Sequence, residues 1–131
     1  MNVIKKNQKI IALLLDGKYK RGTHGVTPRH LPLQVVSLNH PKGKFWPAHI
    51  HRPKKRITRE LREVFFVTRG RARVEILFKN KVYKSFVLRE GQGIMLLDGA
   101  IRIKALAPLM ALEFKNGPFM EDKHVFNAQP E

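Results

Sequence analysis

Cysteine is missing from this chain altogether. Disulfides, thiolate catalysis and cysteine-ligated zinc are thereby excluded, and the absence fits a reducing compartment. Long apolar runs are missing too. The run Ile10–Leu15 meets Asp16 after six residues, too short for the apolar region of a signal peptide. No stretch approaches the ~20 residues of a membrane span. A cytoplasmic protein with no membrane partner is the expectation. Acidic residues are scarce, with 10 Asp and Glu against 26 Lys and Arg, a net charge of +16. Such a field favours anionic partners, among them nucleic acid, anionic lipid and phosphorylated small molecules. The same charge also keeps a small protein soluble. Repeats, low-complexity tracts and Gly/Ser linkers are absent.

What remains is the material of one small domain. A chain of 131 residues has room for a single core, and an apolar content of 43% is enough to form one. The apolar residues fall in short runs: Ile10–Leu15, Leu33–Leu38, Val64–Val67, Arg71–Phe78, Val82–Leu88, Ile94–Leu97, Ile101–Leu106 and Leu109–Phe114. Runs of that length, separated by Gly, Pro, Asn or charge, predict an all-β sandwich or barrel. Ala72, Val74, Ile76 and Phe78 alternate with Arg71, Arg73, Glu75 and Leu77, giving a buried and a wet face. Lys79-Asn80-Lys81 reads as the hairpin turn that follows. Arg56–Arg62 reads weakly as a helical turn. The expected organisation is a strand and irregular arm over 1–32, a β-barrel over 33–126 and a tail over 127–131, one domain in all.

The stretch with chemistry in it runs from Gly43 through Trp46, His49-Ile50-His51 and a basic insertion to Glu63 and Gly70. His-x-His on a strand puts both imidazoles on one face. A Glu on a neighbouring inward-facing strand then supplies a third donor. Two His and one carboxylate suit Fe, Mn, Ni or Zn as divalent ions. Glu60 competes with Glu63, but only Glu63 has six residues between it and Gly70.

These residues resemble the first motif of the cupin superfamily: Gly, five residues, His-x-His, a gap, Glu, six residues, Gly. The later run Leu112–Phe119, with Glu121-Asp122-Lys123 and Phe126, resembles the end of small single-domain cupin-fold metalloproteins. The resemblance covers roughly residues 33–126. It implies a double-stranded β-helix or jelly roll, a metal site at His49, His51 and Glu63, and a homodimer. Two departures stand out. The gap between His51 and Glu63 is eleven residues instead of three or four. The further His of the second cupin motif falls at Ala100, so the fourth ligand is missing and metal should bind more weakly.

Other pocket candidates are Arg102, as a carboxylate or phosphate binder, Glu113, which interrupts an apolar run, and Trp46, at the barrel wall. His40 is an outside candidate for the missing ligand. His24, His30 and His124 read as surface residues. If Glu63, Phe65 and Val67 face inward, then Val64 and Phe66 face outward and need a cover, either an N-terminal segment or a second subunit. Three function classes stay open. One is a cupin binding or transforming a small anionic compound, carbohydrate- or nucleotide-linked. The second is a non-catalytic cupin with a decayed site, acting as sensor or partner protein. The third, ranked lower, is a basic nucleic-acid-associated protein.

Overall fold

A computed structural model describes residues 2–126. Ten strands follow one another: β1 (Asn2–Lys6), β2 (Lys9–Leu15), β3 (Gly22–Gly25), β4 (Val36–Asn39), β5 (Glu63–Arg69), β6 (Ala72–Phe78), β7 (Lys81–Leu88), β8 (Gly93–Leu96), β9 (Ala100–Ala105) and β10 (Met110–Lys115). There is no helix among the described residues, hence none long and apolar enough to cross a membrane. All pairings are antiparallel. A five-stranded sheet runs β1-β2-β8-β5-β10, a three-stranded sheet runs β7-β6-β9, and β3-β4 form a small ribbon.

The turns follow from backbone chemistry. Lys79 and Asn80 have φ of 51° and 60°, and they join Phe78 to Lys81 across a two-residue loop. Two left-handed central residues match the twist of the flanking strands. Asn7 and Gln8, with φ of 49° and 65°, make the same turn between β1 and β2. Gly70 turns β5 into β6 with φ of 86°. A Cβ there would stand 2.2 Å from the Pro108 carbonyl oxygen, so only glycine fits.

Alternation sorts the five-stranded sheet into two apolar faces. Ala12, Phe65, Val67 and Ile94 point toward Ala72, Val74, Ile76 and Leu88 of the three-stranded sheet, and these residues form the main core. Leu13, Leu15, Val64, Phe66 and Met95 point the other way. The arm after β2 covers that outer face with Leu31, Leu33 and Val35. Thr27 and Gln34 shape the cover. The Val35 N–H donates to Thr27 Oγ1 at 3.0 Å, and Gln34 Nε2 donates to the carbonyls of Pro28 at 3.0 Å and Leu31 at 2.8 Å. Each large aliphatic buried this way contributes about 1.5–3 kcal/mol. Toward β10 the cover stops. Leu112, Phe114, Val36 and Leu38 stay about half exposed around an apolar groove of about 510 Å³.

The strand runs read from the sequence correspond to β2 and β4–β10, whereas β1 and the ribbon strand β3 were not expected. Two expectations are corrected. No sheet closes into a barrel: β9 and β10 are both open edges. The reason lies in the segment between β4 and β5. Residues 40–62, expected to carry the His-x-His strand and a helical turn, form neither strand nor helix. Pro47 and Pro53 flank the two histidines, and each lacks a ladder donor, leaving at most five residues between them for pairing. The 127–131 tail lies outside the described residues.

Candidate functional site

The open side of the sandwich forms a cleft of about 820 Å³. Its floor is apolar, made by Phe65, Ile94, Ile101 and Ile103, which pack onto the core beneath. Register decides which charges stand at its edge. Phe65 faces into the sandwich, so Glu63, two residues earlier on β5, shares its face. Across the ladder Lys115 pairs with Glu63 and Glu113 pairs with Phe65. The three ionic side chains therefore meet, with Lys115 Nζ 3.4 Å from Glu63 Oε2 and 3.4 Å from Glu113 Oε2. The hydrogen bond and charge of Glu63, then the charge of Glu113, hold the Lys115 ammonium above the ordinary lysine pKa.

Arg62 lines the cleft. Its Nη2 donates to Glu60 Oε2 at 2.9 Å and its Nη1 to the Leu61 carbonyl at 3.1 Å. Its Nε is buried and has no hydrogen-bond partner among the described residues. Asn116 positions this part of the chain: its Oδ1 accepts from the Arg62 N–H at 2.7 Å, and its Nδ2 donates to the Glu60 carbonyl at 3.0 Å. A buried donor left unpaired is costly.

Glu63, Glu113, Arg102 and Ala100 all line the cleft. Arg102, however, already has a partner. It sits between Ile101 and Ile103, which pack on the core, so alternation turns it to the other face of β9. There its Nε donates to Glu75 Oε2 at 2.5 Å, directly across the β6–β9 ladder. The residue expected to be a carboxylate or phosphate binder is thus engaged in an ion pair with Glu75.

His49 and His51 are exposed on the unpaired segment and do not line the cleft. Their rings stand edge to face at 5.3 Å, and His49 Nδ1 donates to the Pro47 carbonyl at 2.9 Å. Trp46 is also away from the cleft, packed edge-on against His40 at 5.1 Å under the Lys44 ammonium. His40 in turn hydrogen-bonds the Thr23 hydroxyl at 2.8 Å. Among the described residues no three His, Asp or Glu side chains are grouped so as to hold a metal ion. In this arrangement His49, His51 and Glu63 do not form a donor set.

The sequence offered Arg62 only as one of a basic stretch that could ring a barrel mouth, and gave no site role to Lys115 or His124, which lies in the cleft lining. Lys115 was within reach, because it lies two residues from Glu113 on one strand face. His124 lines the cleft from the C-terminal segment, a long-range approach with no local signal. No family model, curated protein or solved structure matches the chain.

Proposed function

We propose that this protein is a small cupin-like binding protein, with a jelly-roll relationship between its two sheets, that takes a small anionic compound in the cleft between β9 and β10. The observation that carries the reading is the Arg62 guanidinium in the lining of a cleft with an apolar floor. A ligand with an anionic group and an apolar or ring-shaped body fits both parts, as in a phosphorylated or nucleotide-linked carbohydrate. A binding role is favoured over metal-assisted turnover because His49 and His51 stand outside the cleft that Glu63 lines.

Titration calorimetry with inorganic phosphate, a sugar phosphate and a nucleotide-linked sugar tests the proposal. Arg62→Met keeps the aliphatic stem and removes the donor, so it should weaken binding of the preferred ligand about tenfold or more, the loss expected for a charge-assisted hydrogen bond. Oligonucleotide affinity that rises with length and ignores Arg62→Met would replace this reading with a nucleic-acid one. The resemblance also implies a homodimer, and the groove around Leu112 and Phe114 is the surface it would bury. Leu112→Glu should then shift the sedimentation coefficient from dimer to monomer. A wild type that is monomeric at tens of micromolar refutes the dimer.

A further inference from the structure

The segment 40–62 carries eight Lys and Arg against one carboxylate, Glu60. Its apolar side chains are turned outward. Ile50 is 86% exposed and Ile57 76% exposed, and Phe45 and Trp46 are exposed as well. A second stretch lies alongside: residues 56–61 and 115–123 border a common hollow of about 670 Å³, and Phe119 and Met120 are exposed there. Basic and apolar side chains are thus interleaved along the exposed segment 40–62, and its 56–61 end adjoins Phe119 and Met120.

Large apolar side chains exposed together mark an interaction surface, and the charge selects an anionic partner. We propose that residues 40–62, with Phe119 and Met120 beside them, dock this protein on an anionic lipid bilayer. The sequence expectation of no membrane partner gives way here to side-chain exposure. Two of the three most exposed apolar residues in the segment, Ile50 and Ile57, are isoleucines, the third being Phe45. Nucleic acid holds aromatic rings by stacking, but Ile50 and Ile57 have no π-face and would stay in water beside a phosphate backbone. The boundary between headgroups and acyl chains accepts both kinds of side chain: cations reach the anionic lipids, aliphatics enter hydrocarbon, and an indole sits at the interface. A second copy of this chain does not fit, because two such segments repel each other. No residue between 40 and 62 belongs to a sheet ladder, so the segment's side chains are not committed to either sheet.

The chain has a single tryptophan, Trp46, and it lies inside the proposed surface, so its fluorescence reports docking directly. Wild-type protein should bind vesicles containing about one-third phosphatidylserine, shift its emission to the blue, and be quenched by brominated acyl chains. It should not bind pure phosphatidylcholine, and raised salt should weaken binding through screening. Ile50→Ser with Ile57→Ser keeps every charge and should weaken partitioning tenfold or more. No vesicle binding would overturn the proposal. Binding without quenching of Trp46, or binding unchanged in the double variant, would also overturn it by reducing the effect to charge alone. Tight oligonucleotide binding with no vesicle binding would assign the surface to nucleic acid instead.

Discussion

Replacing Glu75 and Arg102 singly and together separates the two roles that Arg102 can have. The pair bridges β6 and β9 at 2.5 Å, with the Glu75 side chain 13% exposed and that of Arg102 23% exposed. Fully exposed ion pairs contribute about 0.2–1 kcal/mol, and hydrogen bonds to charged groups about 1.5–3 kcal/mol. This pair is mostly buried and well aligned, so a coupling of about 1–1.5 kcal/mol is expected between those ranges. Glu75→Gln leaves the guanidinium half-buried without its carboxylate, and Arg102→Met leaves the carboxylate alone. Each single change should cost about 2 kcal/mol, less than the 3–5 kcal/mol of a fully buried pair. For a domain of this size that lowers Tm by roughly 6–10 °C. The double variant should be about 0.5–1 kcal/mol less stable than either single one, instead of the further ~2 kcal/mol expected of independent sites. Urea unfolding followed by far-ultraviolet circular dichroism gives all four free energies. A coupling below about 0.3 kcal/mol, within the scatter of independent sites, would refute the structural role. So would an Arg102→Met variant with unchanged Tm and lost ligand affinity.

Three further outcomes follow from particular contacts. Gly70→Ala puts a Cβ against the Pro108 carbonyl at a left-handed φ, and should destabilise by about 2 kcal/mol or more; urea unfolding no different from wild type would show that the β5–β6 turn yields freely. Lys9 and the Gly99 N–H hold Asp98 below the ordinary carboxylate pKa, so its contribution is present above about pH 3.9 and is lost as pH falls through the lower folded value. Lys115 is held above the ordinary lysine value, so its contribution is present below about pH 10.4 and is lost as pH rises through the higher folded value. Both groups are exposed and the effects are small; Lys115→Met should flatten the alkaline limb of a Tm–pH profile, and an unaltered limb refutes the Glu63 contact. Zinc or nickel should bind the isolated protein weakly and Ala100→His should not tighten it, because the histidine segment stands outside the cleft; a marked gain in calorimetric affinity would show that His49, His51 and β9 share a site.

Local chemistry made much of the fold legible. The alternation of Ala72, Val74 and Ile76 with Arg73 and Glu75 identified β6 and its faces. Two residues able to adopt left-handed φ, Lys79 and Asn80, marked the next hairpin. β1 was harder to see because Lys5 and Lys6 obscure its pattern, and its evidence is its pairing with β2. On the candidate site the division is sharper. Spacing placed Glu63 on an inward face and Val64 and Phe66 on an outward one, and the arm residues Leu31, Leu33 and Val35 supply the cover that this required. Spacing also put His49 and His51 on a strand, a step that local pattern does not license. A strand exists only when another backbone pairs with it, and the segment between Pro47 and Pro53 makes no such pairing.

By itself, then, the sequence determined the all-β class, the positions of β2 and β4–β10, the two apolar faces of β5 and the basic charge, because each depends on a period of two or on composition. Only tertiary structure decided that the sheets stay open, that Lys115 stands between Glu63 and Glu113, that Arg102 belongs to Glu75, and that Ile50 and Ile57 face solvent. Those features depend on which residues meet across tens of positions in the chain, and the energy of such meetings resides in packing and paired charge rather than in any local pattern.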